Sequence, residues 1–188
     1  MKINVLIVLI TLTAILFPYN NSYSRIEFND PDIKIIIIRH GEKPDKGDNL
    51  SCQGLNRALQ LPSVIKNKFG LPDKIFVPTP NSGKSTSTSR MYQTIVPFAI
   101  KYNLKINTKY DVKDTKAIAE ALGKESGTVL LVWEHKAILK IVKAIGVDDP
   151  GLSWDDNDFD SIWIISYKNG KPVLTKDREN IKPLTSCP

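Results

Sequence analysis

Residues 32–43 read DIKIIIIRHGEK, and this stretch decides the fold. Isoleucine occupies every position from 33 to 38 except Lys34. A short run of β-branched residues without polar alternation is typical of a strand that is buried on both faces of a sheet. Sheets of that kind carry helices on either side, so the stretch indicates an α/β protein.

Strand and helix patterns alternate along the rest of the chain. Further strands are predicted at residues 74–77, 104–107 and 128–133, and helices at residues 50–68, 90–102, 113–122 and 136–145. Asn169-Gly170 predicts a hairpin between strands 161–167 and 171–175. This order predicts an α/β fold, a three-layer α/β/α sandwich with a mostly parallel central sheet and a C-terminal antiparallel hairpin.

The N-terminal segment differs in composition from the rest. Lys2 precedes an apolar run over residues 5–17, and small polar residues follow up to Ser24. This pattern predicts a secretory signal peptide over residues 1–24 and a single domain over residues 25–188. The run is shorter than the roughly 20 residues that a spanning helix needs. We therefore expect cleavage, export to the periplasm or the exterior, and no stable membrane insertion, with a retained N-terminal anchor as the alternative.

The charge balance favours a small anionic partner. The chain has 26 Lys and Arg against 20 Asp and Glu, a formal net charge of +6. The lysines are scattered and not interleaved with aromatic residues, which argues against a nucleic-acid-binding surface. A positive field does attract anionic substrates.

Two cysteines, Cys52 and Cys187, are present. In an exported protein an even number permits one disulfide, which here would tie the C-terminal tail to the segment after the first strand. The alternative is two free thiols.

Both histidines of the chain directly follow predicted strands. His40 comes after Arg39 at the end of the first strand, and His135 follows Glu134 at the end of the strand at 128–133. The carboxyl ends of parallel strands meet at one edge of a sheet, so we expect both imidazoles in one crevice. The alternative is two unrelated loop histidines.

Two arginines would make this crevice cationic. Arg39 stands beside His40, and Arg90 begins the helix after the second strand. Guanidinium groups bind phosphate bidentately, and an imidazole held between them can attack phosphorus in line. Gly41 would let the backbone turn sharply and approach a ligand.

These motifs resemble the histidine phosphatase superfamily, the phosphoglycerate-mutase-like proteins. The resemblance runs from about residue 33 to residue 146 and rests on Arg39-His40-Gly41-Glu42, residues 50–54, Arg57-Ala58, Ser89-Arg90, Gln93-Thr94 and residues 129–135. It implies an α/β/α sandwich with His40 as the phosphorylated nucleophile. It also implies that Arg39 and Arg90 are the pocket arginines and that His135 is the second pocket histidine.

The chain departs from this family around its second histidine. The family usually has a small residue before that histidine and glycine after it, whereas this chain has Glu134 and Lys136. The acidic proton donor of many members has no clear counterpart. The candidates are Glu134, Glu42 and Asp111, in that order. For Glu134 and Glu42 the alternative is a hydrogen bond that orients an arginine or histidine.

Two loops border the expected pocket. Residues 82–89 offer hydroxyl groups and Lys84, although Ser89 or Thr88 is expected instead to cap the following helix. We count Gly41, Glu42, Ser89 and Lys84 as candidate substrate contacts. The acidic residues of 148–160 lack the spacing of a calcium loop and are expected to be solvated.

The sequence therefore predicts a phosphoric monoester hydrolase that acts on a small phosphorylated substrate through a phosphohistidine on His40, without a metal or any other cofactor. One alternative is a non-catalytic phospholigand-binding or envelope protein of the same fold. Another is a zinc-dependent hydrolase with His40, His135, Glu42 and Glu134 as ligands, which Arg39 and Arg90 disfavour because they would repel the cation.

Overall fold

A five-stranded sheet lies at the centre of the protein. The computed structural model describes residues 26–80 and 87–188, so the expected signal peptide and Lys84 lie outside the described residues. The strands are β1 (Lys34–Arg39), β2 (Lys74–Phe76), β3 (Thr128–Trp133), β4 (Ser161–Lys168) and β5 (Lys171–Arg178). Their spatial order is β2-β3-β1-β4-β5. The first three strands are parallel, and the β4–β5 hairpin joins β1 in antiparallel orientation, which confirms the predicted sheet.

Helices cover both faces of this sheet. They are α1 (Cys52–Phe69), α2 (Arg90–Tyr102), α3 (Thr115–Leu122) and α4 (His135–Ile145). Ile36 and Ile38 of β1 pack towards α1 and α2, whereas Ile35 and Ile37 pack towards α3 and α4. Successive strand residues point to opposite faces, so a strand covered on both sides must be apolar at every position. The three-layer sandwich is thereby confirmed.

Residues 104–107 do not form the strand predicted for them. Asn107 makes only an isolated parallel bridge to Phe76, while Leu104 and Ile106 pack against the core beside α1 and α2. In the part of the chain that the structure covers, no helix combines the length and the apolar character needed to cross a membrane.

A buried ionic cluster joins α1 to the residues that follow β1 and β5. Arg57 donates to the Glu42 carboxylate, with Nη2–Oε1 at 2.8 Å, and Nη1 donates to Glu179. Arg57, Glu42 and Glu179 are each less than 9% exposed. Burial opposes the charged form of Arg57, but its hydrogen bonds to Glu42 and the charge of Glu179 outweigh this effect and raise its pKa. Burial raises the pKa of Glu179, whereas the charge and the hydrogen bond of Arg57 act to lower it.

The C-terminal tail is attached to the beginning of α1. The sulfur atoms of Cys52 and Cys187 form a disulfide. In addition, the Asn56 amide donates to the carbonyl oxygens of Leu184 at 3.0 Å and of Ser186 at 2.6 Å. These contacts hold the tail against the helix that also carries Arg57.

We predict that Arg57→Ala lowers the free energy of unfolding by about 3–5 kcal/mol, since it leaves the buried carboxylates of Glu42 and Glu179 without their cation. Urea denaturation followed by circular dichroism measures this change. Lys68→Ala is the control, because it removes an exposed ion pair to Asp177 and should cost less than about 1 kcal/mol. Equal losses in the two variants would contradict the prediction.

Candidate active site

Parallel pairing of β1 and β3 places the two histidines at one edge of the sheet. Arg39 lies opposite Trp133 in the register of these strands, and the backbone N–H of His40 donates to the Trp133 carbonyl at 3.2 Å. His135, two residues beyond Trp133, begins α4. Both side chains therefore leave neighbouring strands at their carboxyl ends, where α/β sheets bind ligands.

His40 is neutral and has one ring nitrogen available for chemistry. Its Nδ1 lies 2.7 Å from the Gly41 carbonyl oxygen. A carbonyl only accepts, so Nδ1 carries the proton and Nε2 keeps its lone pair. The side chain is buried, and this burial, assisted by the charges of Arg39, Arg90 and His135, lowers the His40 pKa to about 4. The Nε2 atom is thus a nucleophile at neutral pH.

Gly41 is required by its close packing against α1. A Cβ atom at this position would lie 2.9 Å from the Gly54 carbonyl oxygen of α1. The Gly41 N–H donates to the Thr94 hydroxyl at 2.9 Å, and that hydroxyl donates to the Arg90 carbonyl at 2.8 Å. The residue after the nucleophile is therefore linked to the first turn of α2, which carries Arg90.

Arg90 lies at the mouth of the site and contacts the loop before α1. Its Nη2 donates to the Gly47 carbonyl at 2.7 Å, and its Nε to the Asn49 carbonyl at 3.2 Å. Ser89, at the N-cap position of α2, makes no side-chain cap hydrogen bond, so the capping prediction is wrong for this residue. Thr88, rather than Ser89, lines the cavity beside Arg90.

The guanidinium group of Arg39 is covered by residues 155–159, which we call the 155–159 segment. Its Nη1 is 2.6 Å from the Asp156 carbonyl oxygen and within 3.4 Å of two further carbonyls of the segment. The Phe159 ring stacks on the guanidinium carbon at 4.0 Å and meets the His40 ring edge-on, with centroids 5.9 Å apart. Arg39 is 2% exposed as a result.

His135 lies between two carboxylates. Its Nε2 is 2.7 Å from Asp156 Oδ1, and its Nδ1 is 3.1 Å from Glu134 Oε1. Glu134 also caps α4, accepting from the backbone N–H groups of Lys136 at 3.1 Å and Ala137 at 3.0 Å. The hydrogen bond and charge of His135 lower the pKa of Asp156. The contact between Glu134 and Nδ1 is close but is not a hydrogen bond, so the orienting hydrogen bond expected as the alternative to a donor role is not made, and the carboxylate caps α4 instead.

The structure revises the sequence-based expectations for several carboxylates. Glu42 is bound to Arg57, so its carboxylate is neither directed at the cavity nor free to donate a proton. Asp111 is exposed and accepts from the Lys113 N–H at 3.0 Å. The expectation of a solvated loop at 148–160 holds for the exposed side chains of Asp148, Asp149, Asp155 and Asp156, while the backbone of the 155–159 segment contacts Arg39. Its contacts with Arg39 use backbone carbonyls, which every residue type possesses, so the sequence carries no signal for them.

A cavity of about 420 Å³ opens beside His40. The described residues that line it are His40, Thr88, Arg90, Met91, Val112, Lys113, Thr115, Glu134, Lys136, Ala137 and Lys140. Arg39 and His135 are not among them; the 155–159 segment contacts Nη1 of Arg39 and Nε2 of His135. The cavity thus presents a neutral nucleophile and one arginine, with a second arginine and histidine under the segment.

Comparison with solved structures finds proteins of the same fold. No protein-family model and no curated protein matches the sequence significantly. Among solved structures, the protein histidine phosphatase SixA complexed with tungstate is similar, with 15% identity, a TM-score of 0.54, and coverage of 78% of this chain and 97% of that one.

Two further structures show the same likeness. Phosphoserine phosphatase from Entamoeba histolytica, in complex with 3-phosphoglyceric acid, gives 16% identity, a TM-score of 0.56, and coverage of 80% and 98%. A mycobacterial glucosyl-3-phosphoglycerate phosphatase with inorganic phosphate gives 15% identity, a TM-score of 0.52, and coverage of 77% of this chain and 95% of that one. These neighbours are members of the histidine phosphatase superfamily. At such identities the likeness establishes a shared fold, so the chain has the α/β/α architecture of these enzymes.

Proposed function

We propose that this protein is a phosphatase that hydrolyses a small phosphomonoester or phosphohistidine through a phosphohistidine on His40. The observation that carries the proposal is the state of His40, a neutral imidazole whose Nε2 lone pair lies within the fields of Arg39, Arg90 and His135. Positive charge around an uncharged nucleophile is suited to an anionic electrophile, and phosphate esters are of that kind.

The proposed reaction has two steps. In the first, Nε2 forms a bond to phosphorus while the bond from phosphorus to the leaving oxygen breaks, and the leaving oxygen takes a proton from solvent in the open cavity. Nδ1 keeps its proton, held by the Gly41 carbonyl, and so stabilises the phosphorylated ring. In the second, water attacks phosphorus, the P–N bond breaks, and inorganic phosphate leaves. Arginine contacts to the phosphoryl oxygens would strengthen as charge develops on them.

The structural neighbours support this assignment at the level of fold. The described complexes contain tungstate, 3-phosphoglyceric acid and inorganic phosphate, which are all oxyanions or carry them. Tetrahedral oxyanions of this kind are what the cationic surroundings of His40 would attract.

The two alternatives predicted from sequence fare differently. A zinc site built on His40, His135, Glu42 and Glu134 is disfavoured because Arg57 binds the Glu42 carboxylate and Glu134 caps α4. One observation favours a non-catalytic phospholigand-binding protein. The Asp156 carboxylate contacts His135 and so occupies a ring nitrogen that catalysis would use. Turnover of any phosphomonoester distinguishes it from the phosphatase.

We also propose that the protein is exported. The disulfide between Cys52 and Cys187 supports this location, since such bonds persist in oxidising compartments. The signal peptide expected over residues 1–24 would provide the route.

The first functional prediction concerns the protonation of His40. The chain has two histidines, so NMR of the imidazole rings yields two titrations, and His40→Asn assigns one by its disappearance. Because burial lowers the His40 pKa to about 4, this ring should stay mostly neutral from about pH 5 to pH 6.5, where an ordinary imidazole becomes charged. The nucleophile should therefore remain competent in mild acid. A His40 titration at or above pH 6.5 would contradict the mechanism.

The covalent intermediate is the second prediction. Rapid alkaline quenching after mixing with a ³²P-labelled phosphomonoester should trap label on the protein in a form that is labile in acid and stable in alkali, as expected for a P–N bond. His40→Ala should abolish both trapping and turnover, while Lys101→Ala, an exposed charge on α2, should retain both. Full turnover by His40→Ala would mean that another group is the nucleophile.

The third prediction addresses the 155–159 segment. The Asp156 carboxylate occupies the His135 Nε2 atom that a bound phosphate would use, so Asp156→Ala should lower the inhibition constant of inorganic phosphate a few-fold. Asp148→Ala, which removes an exposed charge from the same loop, should change it by less than twofold. Weaker phosphate inhibition in Asp156→Ala would instead show that Asp156 holds His135 in its productive orientation.

A further inference from the structure

The wall of the cavity facing away from the sheet is cationic. Lys136 and Lys140 lie one turn apart on α4, and Lys113 reaches the cavity from the residue pair that precedes α3. Residues four apart share one face of a helix, so the two α4 lysines face the cavity together. Arg90 on the opposite rim brings the number of cationic side chains to four, against the single carboxylate of Glu134.

These lysines are not neutralised within the protein. Among residues 26–80 and 87–188, no ion pair involves Lys113, Lys136 or Lys140. The only acidic lining residue, Glu134, directs its carboxylate oxygens to the α4 backbone and His135. A concave surface with one sign of charge concentrates the field and attracts ions of the opposite sign.

The cavity also has room for more than a phosphoryl group. Its volume of about 420 Å³ lies within the range of sites that enclose a whole small-molecule ligand. Apolar side chains of Met91, Val112 and Ala137 contribute to its wall, and they can contact a short carbon skeleton. The nucleophile His40 is at one end of this space, so the remainder is available to the leaving group.

We propose that the substrate has a leaving group with a second anionic group, a phosphate or a carboxylate, which Lys113, Lys136 and Lys140 bind. This inference rests on the proposed function, because it takes His40 as the point of phosphoryl attack. Lys136 occupies the position where the resembled family usually has glycine, so the cationic wall is a feature of this chain. The three lysines would be specificity-determining residues that discriminate between leaving groups by charge.

Three substrates with the same number of carbon atoms test the proposal. They are propane-1,3-diol monophosphate, propane-1,3-diol bisphosphate and 3-phosphooxypropanoate, which share the scissile ester and end in a hydroxyl, a phosphate or a carboxylate. The kcat/KM for an anionic end should exceed that for the hydroxyl end by about tenfold, since each exposed ion pair contributes only a few-fold. The kcat/KM measured for the bisphosphate is divided by two before this comparison, because either of its two phosphate groups can be hydrolysed. Comparison of the two anionic ends identifies which group the lysines prefer.

The variant Lys136→Ala/Lys140→Ala should reduce this anionic-to-neutral ratio to about twofold or less. Raising the salt concentration to 0.5 M should also reduce it, because the ion pairs are exposed and screened. Lys101→Ala/Lys143→Ala is the matched control, as it removes the same two positive charges from exposed residues that do not line the cavity and should leave the ratio unchanged.

Two results would overturn the proposal. Equal kcat/KM values for the three substrates would reject the anionic leaving group while leaving the phosphatase assignment intact. A double variant that slows all three substrates equally, with the ratio preserved, would show that the lysines act on the scissile phosphate or on folding. Failure of all three substrates, together with no trapped phosphoenzyme, would instead reject the proposed function itself.

Discussion

Parallel pairing of β1 with β3 is the constraint on which the rest of the site depends. It sets Arg39 opposite Trp133, and the hydrogen bond from His40 to the Trp133 carbonyl extends the pairing one residue beyond the strand. Residues separated by about one hundred positions are thereby brought to one edge of the sheet. The pairing is itself enforced by burial, because both strands are apolar on both faces and are stable only between two helical layers.

The chemical state of His40 follows from the same burial. Removing the imidazole from water disfavours its charged form, and the surrounding arginines act in the same direction. A cationic site would ordinarily be costly to bury, but here Nη1 of Arg39 donates to carbonyls of the 155–159 segment and Phe159 stacks on the guanidinium group. Among the described residues, Nε of Arg39 has no hydrogen-bond partner. The segment thus stabilises the arginine and restricts access to it. Substrate binding to Arg39 and His135 would have to replace contacts that the free protein already makes.

Prediction from sequence succeeded where a residue pattern has a direct physical cause. The isoleucine run forms β1, and the Asn169-Gly170 turn joins β4 to β5. Both histidines follow strands and lie at one edge of the sheet. It failed at residues 104–107, where apolar residues pack against a core cluster without extended pairing. At Glu42 the structure shows the hydrogen bond to an arginine that was the alternative to a donor role, and only the tertiary structure identifies Arg57 as that partner.

Sequence alone determined the fold class and the residues that could perform chemistry, because burial periodicity and side-chain type are properties of the chain itself. Tertiary structure decided which groups meet. It placed backbone carbonyls over Arg39 and the Asp156 carboxylate on His135. It also gathered three lysines, from a loop and from α4, around one cavity. Every residue has the same backbone carbonyl, and charged groups interact with whichever groups lie near them in space. Neither kind of contact therefore produces a recognisable pattern along the sequence.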